Sequence, residues 1–279
     1  MVDTINFQIC FPEANTLKKI LDTISGLMKD CVFNITPNGL FVDAVDETRI
    51  CLVSLALPDT YFSQFRCNQA TQISLRLASF VKLIKFCDTN DTVTLSQRSS
   101  QPDQIEILVE SQKFRQTMNF VLRLTRADSE QLSADKFAPD SVISLNSSRF
   151  ATLVRDLSAL GSVVRISSSS SDSTAIFEVT GEESNAAITV GNAKDDGEGG
   201  ASISVKQDVD LKFTLRYFIL FSKAASLAND VRIELAGGSP AVVCYEFGDG
   251  GKIQFLLACS VDGDEEEEPL DEADAGDDI

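Results

Sequence analysis

The chain has 279 residues, 43% of them hydrophobic, so it is long enough to fold as two domains with apolar cores. Histidine is absent, which excludes Ser-His-Asp and Cys-His catalysis and any histidine-containing zinc site. The seven cysteines include no Cys-x-x-Cys pair, and the N-terminus lacks an export signal, so we interpret them as reduced core thiols of a soluble intracellular protein. With no phosphate-binding loop or metal-ligand spacing in the sequence, no cofactor and no metal are expected.

The acidic residues are unevenly distributed. The formal net charge is −18, but residues 260–279 contain eleven of the 42 acidic residues and no Lys or Arg. Without this segment the net charge is −18 + 11 = −7. The segment is too poor in apolar residues to pack, so residues 262–279 are predicted to form a disordered acidic tail.

Apolar residues recur at helical spacing in four segments, which predicts helices at residues 16–28, 77–87, 147–160 and 215–228. Between them, short segments rich in β-branched and aromatic residues are separated by Gly, Pro, Asn and Asp. These segments predict strands at 32–45, 49–58, 91–98, 104–110, 163–169, 175–180, 186–191, 201–205, 231–236, 241–247 and 252–258.

The order of elements repeats. The first and third helices each lead into a strand, a turn and a second strand, and the second and fourth helices each run into a strand. The offsets are similar, 133 residues from Leu17 to Phe150 and 138 residues from Phe80 to Phe218. The sequence therefore predicts two similar halves, joined by the polar segment 126–140. Because each half has many strands and two helices, the helices are expected to cover one face of antiparallel sheets whose end strands are open edges.

The positive charge is concentrated on the predicted helices. These carry eight basic residues and only two acidic ones, Asp22 and Asp156, and so sum to +6. The eight are Lys18, Lys19, Lys82, Lys85, Arg149, Arg155, Arg216 and Lys223. Short helices often expose lysines simply to water, but four basic helices in an otherwise acidic chain are equally consistent with a surface that faces an acidic polymer such as a nucleic acid backbone. No recognition helix is evident, so base-specific contacts are not expected.

The order and spacing of several blocks resemble the proliferating cell nuclear antigen family of DNA sliding clamps, over residues 1 to about 261. The first-half blocks are LKKILDTISGL, NGLFVDAVDETRICLVSL, FRCN and FVKLIKFCDTNDTVTL. The second-half blocks are EQL, RFATLVRDLSALG, LRYFILFSKAASL and PAVVCYEF. The resemblance implies an α+β clamp fold, with an N-terminal domain (1–122), a connector (123–141) and a C-terminal domain (142–261). Each domain would have antiparallel sheets and two helices.

The resemblance also implies a homotrimeric ring that encircles double-stranded DNA in the nucleus and acts as a processivity factor without catalytic activity. Subunits would pair through edge strands at residues 114–122 and 186–191, with Phe114, Phe120, Leu122, Ile188 and Val190 at the trimer interface. The family contacts DNA through basic residues that line the ring. The matching positions here are Lys18, Lys19, Arg66, Lys82, Lys85, Arg155, Arg216 and Lys223.

The family binds short glutamine-plus-aromatic peptides of DNA polymerases, ligases and nucleases in a pocket beside the connector, and it is placed on DNA by a clamp loader. The matching pocket positions here are Val45, Arg49, Ile50, Leu132, Ala134, Pro240, Leu256, Ala258 and Cys259. Without the resemblance, the apolar members of this set would be interpreted as core residues.

Several positions depart from the family pattern. Ser25, Thr152 and Ala159 stand where basic residues or histidine are usual, so the channel is expected to be less positive than in typical members. Arg49 replaces a common histidine, Ser133-Ala134-Asp135 replaces Gly-Ile-Pro in the connector, and Leu257-Ala258-Cys259 replaces Leu-Ala-Pro. In the serine run 167–171, the lysine that the family modifies is absent.

Three other interpretations stay open at this point. A subunit of a heterotrimeric checkpoint clamp would share the fold but have different partners. A β-rich enzyme could use carboxylates as acid and base, although 42 acidic residues make any single pair uninformative. A monomeric interaction module with an acidic tail is the third.

Overall fold

A computed structural model describes residues 4–126, 138–192 and 200–260. The described residues of the first half form nine strands, two α-helices and a short 3₁₀ helix at Asp59–Tyr61. The strands are β1 (Ile5–Phe11), β2 (Asp30–Thr36), β3 (Gly39–Val45), β4 (Cys51–Pro58), β5 (Gln64–Cys67), β6 (Thr71–Arg76), β7 (Thr92–Arg98), β8 (Gln104–Ser111) and β9 (Gln116–Arg123). The helices are α1 (Ala14–Ser25) and α2 (Leu77–Ile84).

The described residues of the second half repeat this composition. Their strands are β10 (Ser141–Asn146), β11 (Val163–Ser169), β12 (Thr174–Thr180), β13 (Asn185–Gly191), β14 (Ser202–Val205), β15 (Val209–Thr214), β16 (Asp230–Leu235), β17 (Ala241–Phe247) and β18 (Gly251–Leu257). The helices are α3 (Ser147–Ser158) and α4 (Leu215–Ser222), the latter followed by a 3₁₀ helix at Lys223–Ser226. None of the described helices has the length and apolarity needed to cross a membrane.

The helices end earlier than their apolar patterns predict. The last turn of the first predicted helix, up to Met28, is a turn in which the amides of Leu27 and Met28 still bond to Ile24 O. Both residues remain buried. The apolar period therefore continues past the helix because the core does, and the pattern alone overestimates the helix length.

Five strands, β1, β5, β6, β10 and β15, were not predicted. Three of these, β6, β10 and β15, run directly into the next helix with no intervening residue, and neither Gly nor Pro marks the boundary. The sequence signal for a strand depends on such boundaries, and these strands are recognised only from their partners in the sheets. β9 begins at Gln116, so Phe114 precedes this edge strand and is not part of it.

The described strands form three antiparallel sheets, and their topology shows the repeat directly. A five-stranded unit of the first half, ordered β5-β1-β7-β8-β9, recurs in the second half as β14-β10-β16-β17-β18. A four-stranded unit, β4-β3-β2-β6, recurs as β13-β12-β11-β15. Within the chain, β18 pairs with β4, so two of the units join into a nine-stranded sheet that crosses from one half to the other. The corresponding strands β9 and β13 are edges.

Equivalent backbone hydrogen bonds support the same repeat. The first helix of each half begins with an N–H that donates to the loop after the second helix, Ala14 N to Asp91 O at 2.7 Å and Ser147 N to Asn229 O at 2.8 Å. Ala14 and Ser147 are 133 residues apart, and Asp91 and Asn229 are 138 apart. The two halves are thus built from the same contacts as well as from the same elements.

The junction between the halves is apolar and closely paired. Leu55 on β4 lies opposite Ile253 on β18, and Val53 lies opposite Phe255. All four side chains are fully buried, so the backbone pairing coincides with a continuous core. On the helix layer, α1 of the first half packs against the 3₁₀ helix Lys223–Ser226 of the second.

Helix α3 is capped by a side chain, which offers a test of the local structure. Asn146 Oδ1 accepts from Ser148 N at 3.1 Å and from Arg149 N at 3.2 Å. We expect Asn146→Ala to lower the free energy of unfolding by about 1 kcal/mol, measured in urea at one fixed protein concentration. The control is Glu13→Ala, since Glu13 is the N-cap of α1 but makes no capping bond with its side chain. Equal losses in the two variants would contradict the capping role of Asn146.

Candidate functional site

The four helices present a basic surface. Helices α1 and α2 pack against each other, as do α3 and α4, and the 3₁₀ helix Lys223–Ser226 contacts both α1 and α3. The apolar faces of the helices are buried, so their polar residues point outward or along the layer. Of the predicted DNA-contacting residues, the following are exposed on this layer: Lys82, Lys85, Arg155, Arg216 and Lys223. Arg149 is also exposed on α3, and although it counted toward the helical charge it was not among the predicted contacts.

Lys18 and Lys19 are half-buried and have structural partners. Lys18 Nζ donates to Cys87 O at 2.5 Å, just after α2, and Lys19 Nζ donates to Ser226 O at 2.6 Å. Both carbonyls lie near the C-terminal ends of helices, where a positive charge is favourable. The hydrogen bond of Lys19 to Ser226 therefore also connects α1 of the first half to the second half.

Two predicted basic residues differ from the others in their surroundings. Arg66 is exposed on the edge strand β5 and not on a helix, and its Nε donates to Asn68 Oδ1 at 3.3 Å. Arg155 lies 3.4 Å from Asp156, an exposed pair that partly neutralises the positive charge of α3. The other exposed basic residues of the layer are Lys82, Lys85, Arg149, Arg216 and Lys223.

The predicted interface residues lie near the two open edges. On β9, Phe120 is half-buried and Leu122 is buried, while on β13 Ile188 is half-buried and Val190 is buried. Phe114, before β9, is 56% exposed and lies beneath the ammonium of Lys113, 4.7 Å from the ring centroid.

Residues 4–126, 138–192 and 200–260 contain no group of three or more metal-ligating side chains suited to bind a metal ion.

Three strands bring part of the predicted peptide pocket together. Val45 on β3 lies opposite Leu52 on β4, and Leu52 lies opposite Leu256 on β18. All three are half-buried, and they alternate with the fully buried row that contains Val53 and Phe255. They therefore form an apolar row on the outward face of the nine-stranded sheet. Leu52 was not among the pocket residues predicted from the sequence, although the alternation within β4 could have identified it.

The remaining described pocket residues surround this row. Ile50, before β4, is 42% exposed, and its carbonyl accepts from Ala258 N at 3.0 Å. Pro240 and Ala258 are exposed at the ends of the paired strands β17 and β18, and Cys259 Sγ lies 3.4 Å from Ser239 O. Leu132 and Ala134, with most of the connector, lie outside the described residues, as does the acidic tail.

A buried carboxylate holds the loop that carries Ile50. Asp46 Oδ1 accepts from Ile50 N at 2.9 Å and from Cys51 N at 2.8 Å. Asp46 Oδ2 accepts from the hydroxyls of Thr48 and Tyr217, the latter at 2.7 Å. Within this loop Arg49 has a φ of 61°, a left-handed conformation that is unusual for a residue other than glycine. Asp46 was not among the residues predicted from the sequence, since its partner Tyr217 lies 171 residues away.

The hydrogen bonds to Asp46 determine the charge state of its carboxylate. Burial alone would raise the pKa of Asp46, but hydrogen bonds from Thr48, Cys51 and Tyr217 outweigh it and hold the pKa below its usual range. Burial, together with the neighbouring Asp46 carboxylate, raises the pKa of Tyr217 to about 12. At neutral pH the carboxylate is therefore ionised and the phenol is a neutral donor.

The lowered pKa of Asp46 predicts a pH-dependent contribution to stability. Because the pKa is lower in the folded than in the unfolded state, where it is about 3.9, the stabilisation is complete well above pH 4 and is lost as the pH falls through the folded-state value. We expect Asp46→Asn to be less stable than the wild type at pH 7, with a difference that shrinks toward pH 3 in urea unfolding. Asp43→Asn, which removes an exposed carboxylate on β3, is the control. A difference that stays constant with pH would contradict this assignment.

Comparisons with known proteins agree with this architecture. The model for the N-terminal domain of proliferating cell nuclear antigen matches residues 6–132, and the model for its C-terminal domain matches residues 135–260. The proliferating cell nuclear antigen of Dictyostelium discoideum is 30% identical over 259 residues, which cover 92% of this chain and 100% of the relative. That of Chaetomium thermophilum is 28% identical over 255 residues, 91% of this chain and 97% of the relative. The chain therefore belongs to the proliferating cell nuclear antigen family of DNA sliding clamps, which act in DNA replication and repair as processivity factors.

Proposed function

We propose that this protein is a homotrimeric sliding clamp of the nucleus that encircles duplex DNA and tethers a replicative polymerase and other replication and repair proteins. It acts by topology and has no catalytic site of its own. The observation that carries the proposal is the strand topology. β18 pairs with β4 inside the chain, whereas the corresponding strands β9 and β13 are edges of matching five-stranded and four-stranded units. Each subunit thus offers both partners of a junction that it already forms once internally.

The internal junction supplies the register for the proposed contact. Matching the hairpins of the two halves places Met118 at the position of Ile253 and Ile188 at the position of Leu55. Since Leu55 and Ile253 are paired, we expect Met118 of one subunit to lie opposite Ile188 of the next. Both are half-buried and pack against the core in the isolated chain, so pairing would complete their burial. Such a head-to-tail contact closes into a ring by rotation.

An exposed aromatic residue extends the proposed interface to the helix layer. Phe86 is 67% exposed and packs against Phe120 of β9 with the rings tilted by 36° and their centroids 5.7 Å apart. In the repeat it occupies the place of Ala224, which is fully buried in the 3₁₀ helix that packs against α1 at the internal junction. A neighbouring subunit docked in the same way would cover Phe86 with the residues of its α3.

The basic helix layer supports the DNA-binding part of the proposal. A ring lined by these helices would attract backbone phosphates without regard to base sequence, while the acidic remainder of the chain discourages other contacts with DNA. The apolar row Val45, Leu52 and Leu256, together with Ile50, supports docking of short partner peptides from polymerases, ligases, nucleases and the clamp loader. A peptide that buries an aromatic side chain there would gain most of its binding energy from a few contacts.

The trimer can be tested at β13. We expect Ile188→Glu to convert a particle of about three times 30.3 kDa to monomer in light scattering, because the substitution would bury a charge opposite Met118. Thr189→Glu is the control, since Thr189 is exposed on the opposite face of the same strand.

One outcome would contradict the homotrimer, and another would contradict the register proposed for its interface. If the wild-type chain is a stable monomer at micromolar concentration, a ring of identical subunits is ruled out and the heterotrimeric checkpoint clamp becomes the better proposal. If Thr189→Glu dissociates the particle and Ile188→Glu does not, the proposed register is wrong.

The DNA-facing surface can be tested at α2. We expect Lys82→Ala combined with Lys85→Ala to leave the trimer intact but to lower processivity of a polymerase on loaded clamps. The salt dependence of duplex binding should also weaken by roughly one unit of slope for each phosphate contact removed. The reason is that phosphate contacts release counterions in proportion to their number.

The matched control removes two lysines that are not on the helices, since Lys206 follows β14 and Lys252 lies on β18. Lys206→Ala combined with Lys252→Ala makes the same change in charge away from the helix layer. If both double variants change processivity and salt slope equally, net charge and not a basic channel is responsible. Wild-type behaviour of the Lys82, Lys85 variant would reject the assignment of α2 to the channel.

A further inference from the structure

The loop between β3 and β4 is closed by one side chain. Asp46 is 6% exposed, whereas Ile50 at the other end of the loop is 42% exposed. The backbone closes through Asp46 N to Cys51 O at 2.9 Å and Arg49 N to Asp46 O at 3.0 Å. Asp46 Oδ1 also accepts hydrogen bonds from the backbone amides of Ile50 and Cys51. Without this carboxylate the buried amide of Cys51 would lose its bond to a charged acceptor, which is among the stronger hydrogen bonds in proteins.

The second oxygen of Asp46 connects the loop to the other half of the chain. Tyr217 lies on α4, is 8% exposed, and its ring packs beside Phe221 with centroids 6.2 Å apart. Its hydroxyl donates to Asp46 Oδ2 at 2.7 Å and lies 2.7 Å from Thr48 Oγ1. A rigid ring on the buried face of α4 therefore determines where the Asp46 carboxylate lies.

The position of the loop matters for the outward apolar face. Ile50 O accepts from Ala258 N at 3.0 Å, so the loop continues the pairing of β4 with β18 past their last paired residues. Arg49, next to Ile50, keeps its left-handed φ of 61° only while the surrounding bonds hold it, since that conformation is unfavourable for a side chain with a Cβ. Loss of the Asp46 bonds would release both Arg49 and Ile50.

We infer that Asp46 and Tyr217 are positioning residues of the partner-peptide face: neither contacts the peptide, but together they hold Ile50 where an apolar side chain of the peptide docks. This inference rests on the proposed peptide binding. The position of Ile50 then depends on both halves, because the loop belongs to the first half and the tyrosine to the second. A loop released from Tyr217 would present Ile50 correctly only part of the time, and the apparent affinity would fall by that fraction.

The test is calorimetry with a synthetic peptide that carries a glutamine and two aromatic residues. We expect Asp46→Ala to weaken binding by about tenfold or more and Tyr217→Phe by a few-fold, as expected when the competent loop becomes a minor state. Asp46→Asn should be intermediate, since its amide oxygen can still accept from the Ile50 and Cys51 amides. In hydrogen exchange, those two amides should exchange faster in Asp46→Ala and Tyr217→Phe.

Tyr245→Phe is the matched control for loss of a buried hydroxyl. Tyr245 lies fully buried on β17, and its hydroxyl has no hydrogen-bond partner among the described residues. Its removal should leave peptide affinity and exchange of the loop amides at wild-type values, whatever it does to the melting temperature. A loss of affinity in Tyr245→Phe that equals the loss in Tyr217→Phe would overturn the inference in favour of a general effect of stability.

Ile50→Ala separates failure of the inference from failure of the proposed peptide binding. If Ile50→Ala weakens binding while Asp46→Ala and Tyr217→Phe bind as the wild type does, the peptide face stands and the positioning role is overturned. If Ile50→Ala itself binds with wild-type affinity, the peptide face is wrongly placed and the inference falls with it. Because Tyr217→Phe removes a single oxygen, it keeps the test valid even if Asp46→Ala fails to fold.

Discussion

The backbone pairing of β4 with β18 is the interaction on which the rest of this structure depends. It joins two repeated halves into one nine-stranded sheet, and the row of Leu55, Ile253, Val53 and Phe255 beneath it makes the core continuous. An unpaired strand edge leaves N–H and C=O groups unsatisfied, so a repeat that closes one junction internally still has one edge of each kind at its ends. The pairing that makes the chain a single unit therefore also defines the edge strands that a second copy would have to supply.

The distribution of charge suits a single surface that attracts phosphate groups weakly. The helices carry a net positive charge in a chain whose net charge is −18, so positive charge is concentrated on one layer. Lys18 and Lys19 show that part of this charge also has a structural use, because their ammonium groups bind carbonyls near helix ends. In the proposed ring, retention on DNA comes from closure and does not require strong contacts, so a moderate number of exposed basic residues is sufficient.

The outward face of the sheet depends on a polar group that is itself buried. A buried carboxylate is costly unless it is fully hydrogen-bonded, and Asp46 meets this condition with donors from its own loop and from Tyr217. Its low pKa reflects the same bonds, so the group stays ionised at neutral pH. The consequence is a link between an exposed loop and a helix of the basic layer, made by side chains that reach neither surface.

The sequence by itself determined the features that depend on local order along the chain. These are the absence of histidine chemistry, the four amphipathic helices, most strands, the duplication and the concentration of cations on helices. The ordered sequence blocks also identified the family. Only the tertiary structure decided which strands pair, which ends stay open, and that Val45, Leu52 and Leu256 form one row. It also decided that Asp46 meets Tyr217 across 171 residues. The physical reason is that periodicity records which side of an element is buried, whereas strand partners and buried hydrogen bonds are set by register between segments far apart in the chain.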